Sequence, residues 1–132
     1  MYLAVIIASL LTISMWIPYL SAATLARGMA STLAGNPRLD QTPIPAWATR
    51  LKQAHQNAAE NLAAFVGVSL VAESVGAASP DLALAGLVYN AARVGHYAAY
   101  GLSIAYLRTA LFVVGWAATS YIGIVAGMAV LS

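Results

Sequence analysis

Four long apolar segments alternate with short polar stretches along the chain. The ionisable residues that interrupt them are Glu73 in the second segment and Arg93 and His96 in the third. Because a helix that crosses a membrane needs about 20 mostly apolar residues, each segment predicts a transmembrane helix. The segments are residues 2–26, 61–79, 82–107 and 109–132.

Proline, serine and glycine positions set the expected helix ends. Pro18 falls inside the first segment and predicts a bend, which membrane helices tolerate. Pro45 suits the first turn of the second helix. Ser79 is a candidate N-cap with Pro80 at the first helical position, and Gly101 is a candidate end for the third helix. We therefore predict helices over residues 2–26, 46–76, 80–101 and 105–131.

The composition points to a bilayer as the solvent of this chain. Of its 132 residues, 61% are hydrophobic and 8% are charged, whereas a soluble domain has roughly 25% charged residues. The absence of cysteine excludes a thiol nucleophile and a disulfide framework. A net charge of +2 is too small to suggest nucleic acid as a partner. His55 and His96 lack the spacing of metal ligands, so no metal site is expected.

The positions of the basic residues predict how the chain is oriented in the membrane. They lie in or beside the polar first loop, residues 27–45, which also carries turn signals, and beside the third loop. The positive-inside rule then puts the first and third loops in the cytoplasm and both termini outside. The first segment has no basic residue before it, so we expect a retained helix and not a signal peptide. These basic residues are Arg27, Arg38, Arg50, Lys52 and Arg108.

Two polar clusters interrupt the second and third predicted helices. Their members are spaced three and four residues apart, so each cluster lies on one helix face. Ionisable residues within membrane helices usually face the bundle interior. The predicted topology brings both clusters to a similar depth beside Arg108, which would suit a polar ligand that carries carboxylates. The clusters are Asn57, Glu60 and Asn61, and Arg93, His96, Tyr97 and Tyr100.

Structural roles are open for the same residues. Glu60 and Arg93 could neutralise one another between helices, and His96 could make only an interhelical hydrogen bond. The tyrosines are also typical of the membrane interface. Basic residues of the first loop are expected to contact membrane lipid headgroups. Gly123 and Gly127 predict close helix packing.

Three segments resemble those of the MAPEG family, the membrane-associated proteins of eicosanoid and glutathione metabolism. RLKQAHQNAAENLAAF at residues 50–65 resembles its helix 2 signature, R-x-x-R-A-x-x-N-x-x-E. ARVGHYAAY at residues 92–100 resembles its helix 3 pattern, A-R-x-x-[H/Y]-x-x-x-Y. GNPR at residues 35–38 is like the loop of small bacterial members. The resemblance implies an all-α integral membrane four-helix bundle, homotrimeric, in a bacterial inner membrane.

The resemblance also implies glutathione as co-substrate, bound between neighbouring subunits near the cytoplasmic face. Arg108 is the candidate for the catalytic arginine at the start of helix 4, which stabilises the thiolate in the family's enzymes. A cation near sulfur lowers the thiol pKa, and the thiolate is the nucleophile. By motif position the candidate glutathione-binding residues are Arg50, Asn57, Glu60, Asn61, Arg93, His96, Tyr97 and Tyr100.

One departure from the motif divides the functional hypotheses. Gln53 stands where the helix 2 signature has its second arginine, and losing that charged contact could weaken glutathione binding by roughly 1–3 kcal/mol. The first hypothesis is a membrane glutathione transferase or peroxidase that acts on lipophilic electrophiles or peroxides. The second is a non-catalytic protein of the same fold that binds lipophiles or acts as a scaffold. A small transporter or channel component is a third.

Overall fold

A computed structural model describes residues 1–34 and 42–132 of the chain, and within these ranges all regular secondary structure is α-helical. Arg38, which was expected to contact lipid headgroups, and the GNPR segment at residues 35–38 lie outside the described residues. The helices are α1 (Tyr2–Ser14), α2 (Trp16–Arg27), α3 (Met29–Ala34), α4 (Ala46–Ser74), α5 (Pro80–Gly101) and α6 (Ala105–Leu131).

Pro18 interrupts the first predicted helix, so that α1 and α2 replace one bent helix. Proline has no N–H to donate to the Ser14 carbonyl, and its ring crowds that carbonyl. The helix breaks at Met15, whose N–H bonds to the Thr12 oxygen at 3.2 Å. Tyr97 of α5 donates its hydroxyl to the Met15 oxygen at 2.8 Å, which satisfies a carbonyl at the break.

The short helix α3 occupies part of the stretch expected to be an irregular loop. Gly28, at a φ of 81°, ends α2, and the chain resumes helical geometry at Met29. Thr32 donates both its N–H, at 3.1 Å, and its hydroxyl, at 3.0 Å, to the Gly28 oxygen. The expectation was wrong here because the turn signals of this stretch lie beyond residue 34.

Local signals explain the ends of α4 and α5. α4 follows Pro45 and ends at Ser74, two residues before the expected end at 76. The predicted N-cap is confirmed, since the Ser79 hydroxyl accepts from the Leu82 N–H at 3.3 Å with Pro80 first in the helix. α5 ends at Gly101, as the sequence indicated.

Gly101 matters for packing more than for chain reversal. A Cβ at this position would lie 2.7 Å from the Leu51 Cδ2 atom of α4. The residue with positive φ in the turn is Ser103, at 63°. Glycine at 101 therefore lets the start of α4 approach the end of α5.

The core lies where α5 packs against α4 and α6. Phe65 of α4 stacks on Tyr89 of α5, with ring centroids 3.8 Å apart and the planes 2° from parallel. α1 packs on α4 and α5 and approaches α5 closely at Gly86, where a Cβ would lie 2.7 Å from the Ala4 Cβ. Small residues thus set the helix separations, as is common in membrane bundles.

The predicted small-residue pair of α6 makes only one close contact. A Cβ on Gly123 would lie 3.2 Å from Val68 of α4, whereas nothing among the described atoms lies within 4 Å of a Cβ on Gly127. The prediction of close packing is therefore confirmed at Gly123. Gly127 makes no such contact within the described part of the chain.

Two helical segments are long and apolar enough to cross a membrane, where the sequence led us to expect four spans. Tyr2–Arg27 has a mean hydropathy of 2.0 and Ala105–Leu131 one of 1.7. α4 and α5 fall outside this set because the two polar clusters lie on them. Both spans expose large apolar side chains, which suits contact with lipid. Exposed members include Leu3, Ile6, Leu10, Ile13, Val113, Trp116, Ile124 and Met128.

Polar contacts mark the two ends of the helix assembly. At one end Arg50, from the start of α4, meets the last residue of α5, Gly101. At the other end the Glu73 carboxylate lies 2.8 Å from the Met1 amino group. Helices α4 and α5 therefore run antiparallel. The polar cluster of α5 lies toward the Arg50 end, and that of α4 lies near the middle of its helix.

Candidate functional site

A hydrogen bond between Arg93 and Asn57 joins the two polar clusters. Arg93 of α5 is only 4% exposed, and its Nη1 donates to the Asn57 Oδ1 of α4 at 3.0 Å. Asn57 itself is half-buried. The predicted ion pair between Arg93 and Glu60 is not formed: Glu60 is exposed and makes no ion pair in the described residues. The amide, and not the carboxylate, is thus the partner of the buried cation.

Two aromatic rings and one glycine surround the Arg93 guanidinium. Its Cζ lies 5.1 Å from the Tyr89 ring centre and 5.5 Å from the Phe112 ring centre. Such contacts stabilise a cation by about 0.5–2 kcal/mol. A Cβ on Gly115 of α6 would lie 3.3 Å from Nη2 and 3.4 Å from Nε. Both of these nitrogens are buried without a hydrogen-bond partner.

Aromatic contacts continue from Arg93 toward the start of α6. The buried His96 ring lies 6.3 Å from Phe112 and 5.4 Å from Tyr100, measured between ring centres. The Arg108 guanidinium carbon lies 4.8 Å from the centre of the Tyr100 ring. His96 makes these ring contacts and no interhelical hydrogen bond among the described residues. The cluster is therefore rich in cations and aromatic rings.

Five of the predicted site residues are joined by these contacts, and the other four are not. On α4, Asn61 turns its amide to its own helix and donates to the Asn57 backbone oxygen at 2.8 Å. Arg50 donates from Nε at 3.1 Å and from Nη2 at 2.8 Å to the Gly101 oxygen. Tyr97 bonds to the α1–α2 break, and Glu60 faces outward. The five joined residues are Asn57, Arg93, His96, Tyr100 and Arg108.

Sequence reasoning missed three residues of the cluster. Tyr89 lies one turn before Arg93, so the helical spacing that grouped the other residues would have included it. Gly115 lies within an apolar segment, and nothing in the sequence indicates that its neighbour is a guanidinium. Phe112 carries no signal of its own, because it lies within an apolar segment. Its contacts with Arg93 and His96 depend on how α6 packs on α5.

Apart from this cluster, the structure contains an apolar groove between α5 and α6, with a volume of about 450 Å³. Carbon-rich side chains form its walls, and Asp81 and Tyr121 lie at one end. No group of three metal-ligating side chains occurs in the described ranges. The polar cluster can therefore bind an anion or a hydrogen-bonding ligand through its own side chains, and apolar material fits elsewhere on the surface.

Comparison with protein families gives one match. The family model described as the MAPEG family matches residues 2–128, which is nearly the whole chain. No curated protein and no solved structure gives a significant match. The matched range includes both polar clusters and all the helices that form the site.

Proposed function

Because the chain belongs to the MAPEG family and has two helices apolar enough to span a membrane, we propose that this integral membrane protein is a glutathione transferase. It would conjugate lipophilic electrophiles, or reduce lipophilic peroxides, with the glutathione thiolate. The observation that carries the proposal is the cluster of Arg93, His96, Tyr100 and Arg108 beside Asn57. The Arg108 cation, grouped with hydrogen-bonding side chains, suits a peptide that carries carboxylates.

Arg108 is the proposed thiolate-stabilising residue. Its guanidinium lies over the Tyr100 ring, and among the described residues it makes no hydrogen bond, so its donors are available to a ligand. A cation beside a thiol favours the thiolate, and the thiolate attacks an electrophilic carbon, displacing a leaving group or adding to a double bond, or attacks a peroxide oxygen. In the peroxide reaction the O–O bond breaks to give an alcohol and a glutathione sulfenic acid, which a second glutathione converts to glutathione disulfide and water. The electrophilic substrate would enter from the bilayer, since the apolar helix surfaces there offer no polar barrier.

Self-association, predicted as a homotrimer, is part of the proposal. Glu60 is the central residue of α4, with 14 residues on each side (46–59 and 61–74), and it is exposed. Glu60 directly precedes the predicted apolar segment 61–79, and an ionisable side chain at the edge of a membrane span is unfavourable against lipid unless protein or water covers it. Exposed Gln53, Gln56, Ala63 and Gly67 continue the same face. A second copy packed on this face would cover Glu60 and bring it into a site between subunits.

Orientation follows from the charges. Arg50 and Arg108 both lie where the start of α4 meets the end of α5, and the positive-inside rule would direct this end toward the cytoplasm. We propose that the first and third loops are cytoplasmic, that both termini are outside, and that the membrane is a bacterial inner membrane.

The direct test is calorimetric titration of the detergent-solubilised protein with glutathione, followed by addition of an aromatic electrophile. We expect binding, conjugate formation, and a fall in turnover of at least about tenfold in Arg108→Ala, the effect of losing one charge-assisted contact. Lys52→Ala is the matched control, because Lys52 is an exposed cation at the same end of the helices. No glutathione binding at millimolar concentration would refute the transferase proposal.

Self-association has a separate test. The chain has no cysteine, so Ala63→Cys introduces a single thiol on the exposed face of α4. We expect a trimer by mass in detergent and linked pairs of subunits on oxidation, because one cysteine per chain can join only two of the three subunits. Trp116→Cys on the exposed face of α6 is the control and should stay uncrosslinked. A stable monomer would contradict the intersubunit site.

A non-catalytic lipophile-binding or scaffold protein is the second candidate, and Gln53 favours it. The amide cannot replace the charge of the motif arginine, and the groove between α5 and α6 offers about 450 Å³ for an apolar ligand. This candidate predicts that a lipophile binds to the protein in detergent and that no conjugate forms when glutathione is added.

A further inference from the structure

We propose that Arg93 is a positioning residue, which turns Asn57 into a hydrogen-bond donor for the ligand and does not touch the ligand itself. The arrangement depends on Gly115 of α6, which makes room for the guanidinium. This inference rests on the proposed function for the identity of the ligand. The contacts on which it depends, from Gly115 through Arg93 to Asn57, lie within the protein and do not involve a ligand.

The orientation of the Asn57 amide follows from the chemistry of arginine. A guanidinium has only donors, so the atom that faces Arg93 Nη1 at 3.0 Å must be the amide oxygen of Asn57. The amide nitrogen then faces away from Arg93, and it makes no hydrogen bond among the described residues. Asn57 is half-buried, and its amide nitrogen is not among the buried polar atoms that lack a partner, so this nitrogen is accessible from outside the chain. Asn57 therefore presents two N–H donors, and the ligand atom there should be a carboxylate or carbonyl oxygen.

The Nε and Nη2 donors of Arg93 cannot serve a ligand where they lie. Nε and Nη2 are buried and unpartnered. Tyr89 and Phe112 flank the guanidinium, and Gly115 closes the side toward α6. A ligand carboxylate could reach Nε or Nη2 only after α6 moved away. Arg93 thus acts through Asn57, which differs from the direct ligand contact that the family motif implied.

Gly115 is the residue that allows this arrangement. A Cβ there would lie 3.3 Å from Nη2 and 3.4 Å from Nε, which is closer than ordinary packing. An alanine would push the guanidinium away from α6 by a few tenths of an ångström and so disturb its bond to Asn57. Gly127 is the matched control on the same helix, because a Cβ there meets nothing within 4 Å.

The Asn57→Asp variant tests whether residue 57 acts toward the ligand as a hydrogen-bond donor or as an acceptor. Aspartate still accepts from Arg93, so the buried cation keeps its partner, but the donors toward the ligand are lost. We expect the dissociation constant for glutathione, measured by calorimetry, to rise roughly tenfold or more, as for one lost hydrogen bond to a charged group. Equal or tighter binding by Asn57→Asp would overturn the proposal, because Asn57 would then act as an acceptor.

A measurement without ligand tests the positioning separately. In protein labelled with ¹⁵N-asparagine, the side-chain amide signal missing from Asn57→Asp identifies Asn57. We expect Gly115→Ala to shift this signal and to raise the KM for glutathione, while Gly127→Ala changes neither. An unshifted Asn57 signal in Gly115→Ala would overturn the positioning role. If the wild type binds no glutathione, the proposed function fails, and the amide signal still decides whether Gly115 positions Arg93.

Discussion

Replacing Arg50 by alanine should destabilise the protein and leave its ligand affinity nearly unchanged. Arg50 donates twice to the Gly101 carbonyl, at 3.1 and 2.8 Å, where α5 ends and its last carbonyls lack helical partners. The contact therefore connects the start of α4 to the end of α5. The family motif instead implies that Arg50 binds glutathione, so the variant distinguishes the two roles.

The expected magnitude follows from the geometry. A hydrogen bond from a charged donor contributes about 1.5–3 kcal/mol when buried. Arg50 is partly exposed, so solvent screening reduces this to about 1–2 kcal/mol for the pair of bonds. Arg50→Lys should recover only part of the loss, because an ammonium lacks the planar fork that reaches one oxygen with two nitrogens.

The assay is reversible unfolding in mixed detergent, followed by helix content, alongside calorimetric titration with glutathione. Lys52→Ala is the control and should change the free energy of unfolding by less than about 0.5 kcal/mol, as for an ordinary surface substitution. If Arg50→Ala unfolds like the wild type but binds glutathione at least about tenfold more weakly, the structural role is wrong and Arg50 contacts the ligand.

Two further predictions concern packing and the helix break. Gly86→Ala should lower the free energy of unfolding by about 1–3 kcal/mol, because its new Cβ would meet Ala4 at 2.7 Å. Gly127→Ala has open space around it, so in the same unfolding assay it should be neutral or should stabilise the protein by up to about 1 kcal/mol. Tyr97→Phe should lose about 0.5–1.5 kcal/mol by freeing the Met15 oxygen. The affinity of this variant for glutathione should stay within about twofold of the wild type. A larger loss of affinity, measured by calorimetry, would show that Tyr97 contacts the ligand.

Much of the helical organisation is readable from the sequence, because its signals are local. The N-cap Ser79 and the proline that follows it act within one turn, and Pro18 acts on the carbonyl four residues before it. The location of the first break at Met15 follows from the same rule. α3 was missed because six residues carry too little periodicity to predict a helix.

The candidate site is only partly readable because its partners come from other helices. Spacing along α5 groups Arg93 with His96 and Tyr100, since those positions share a face. Spacing does not tell which α4 side chain meets Arg93, because Asn57 and Glu60 differ by less than one turn. The structure selects Asn57, and Glu60 is left on the outer face of α4.

The separation of Glu60 from Arg93 has a physical consequence for the assembly. Had the two charges met inside one chain, each would have neutralised the other. Instead, the cation is partnered by a neutral amide and two rings, and the carboxylate is exposed at the centre of α4. In a bilayer, this exposed carboxylate favours the packing of another copy on the same face. The residue that looks least engaged in one chain is therefore the one that argues most directly for a site shared between chains.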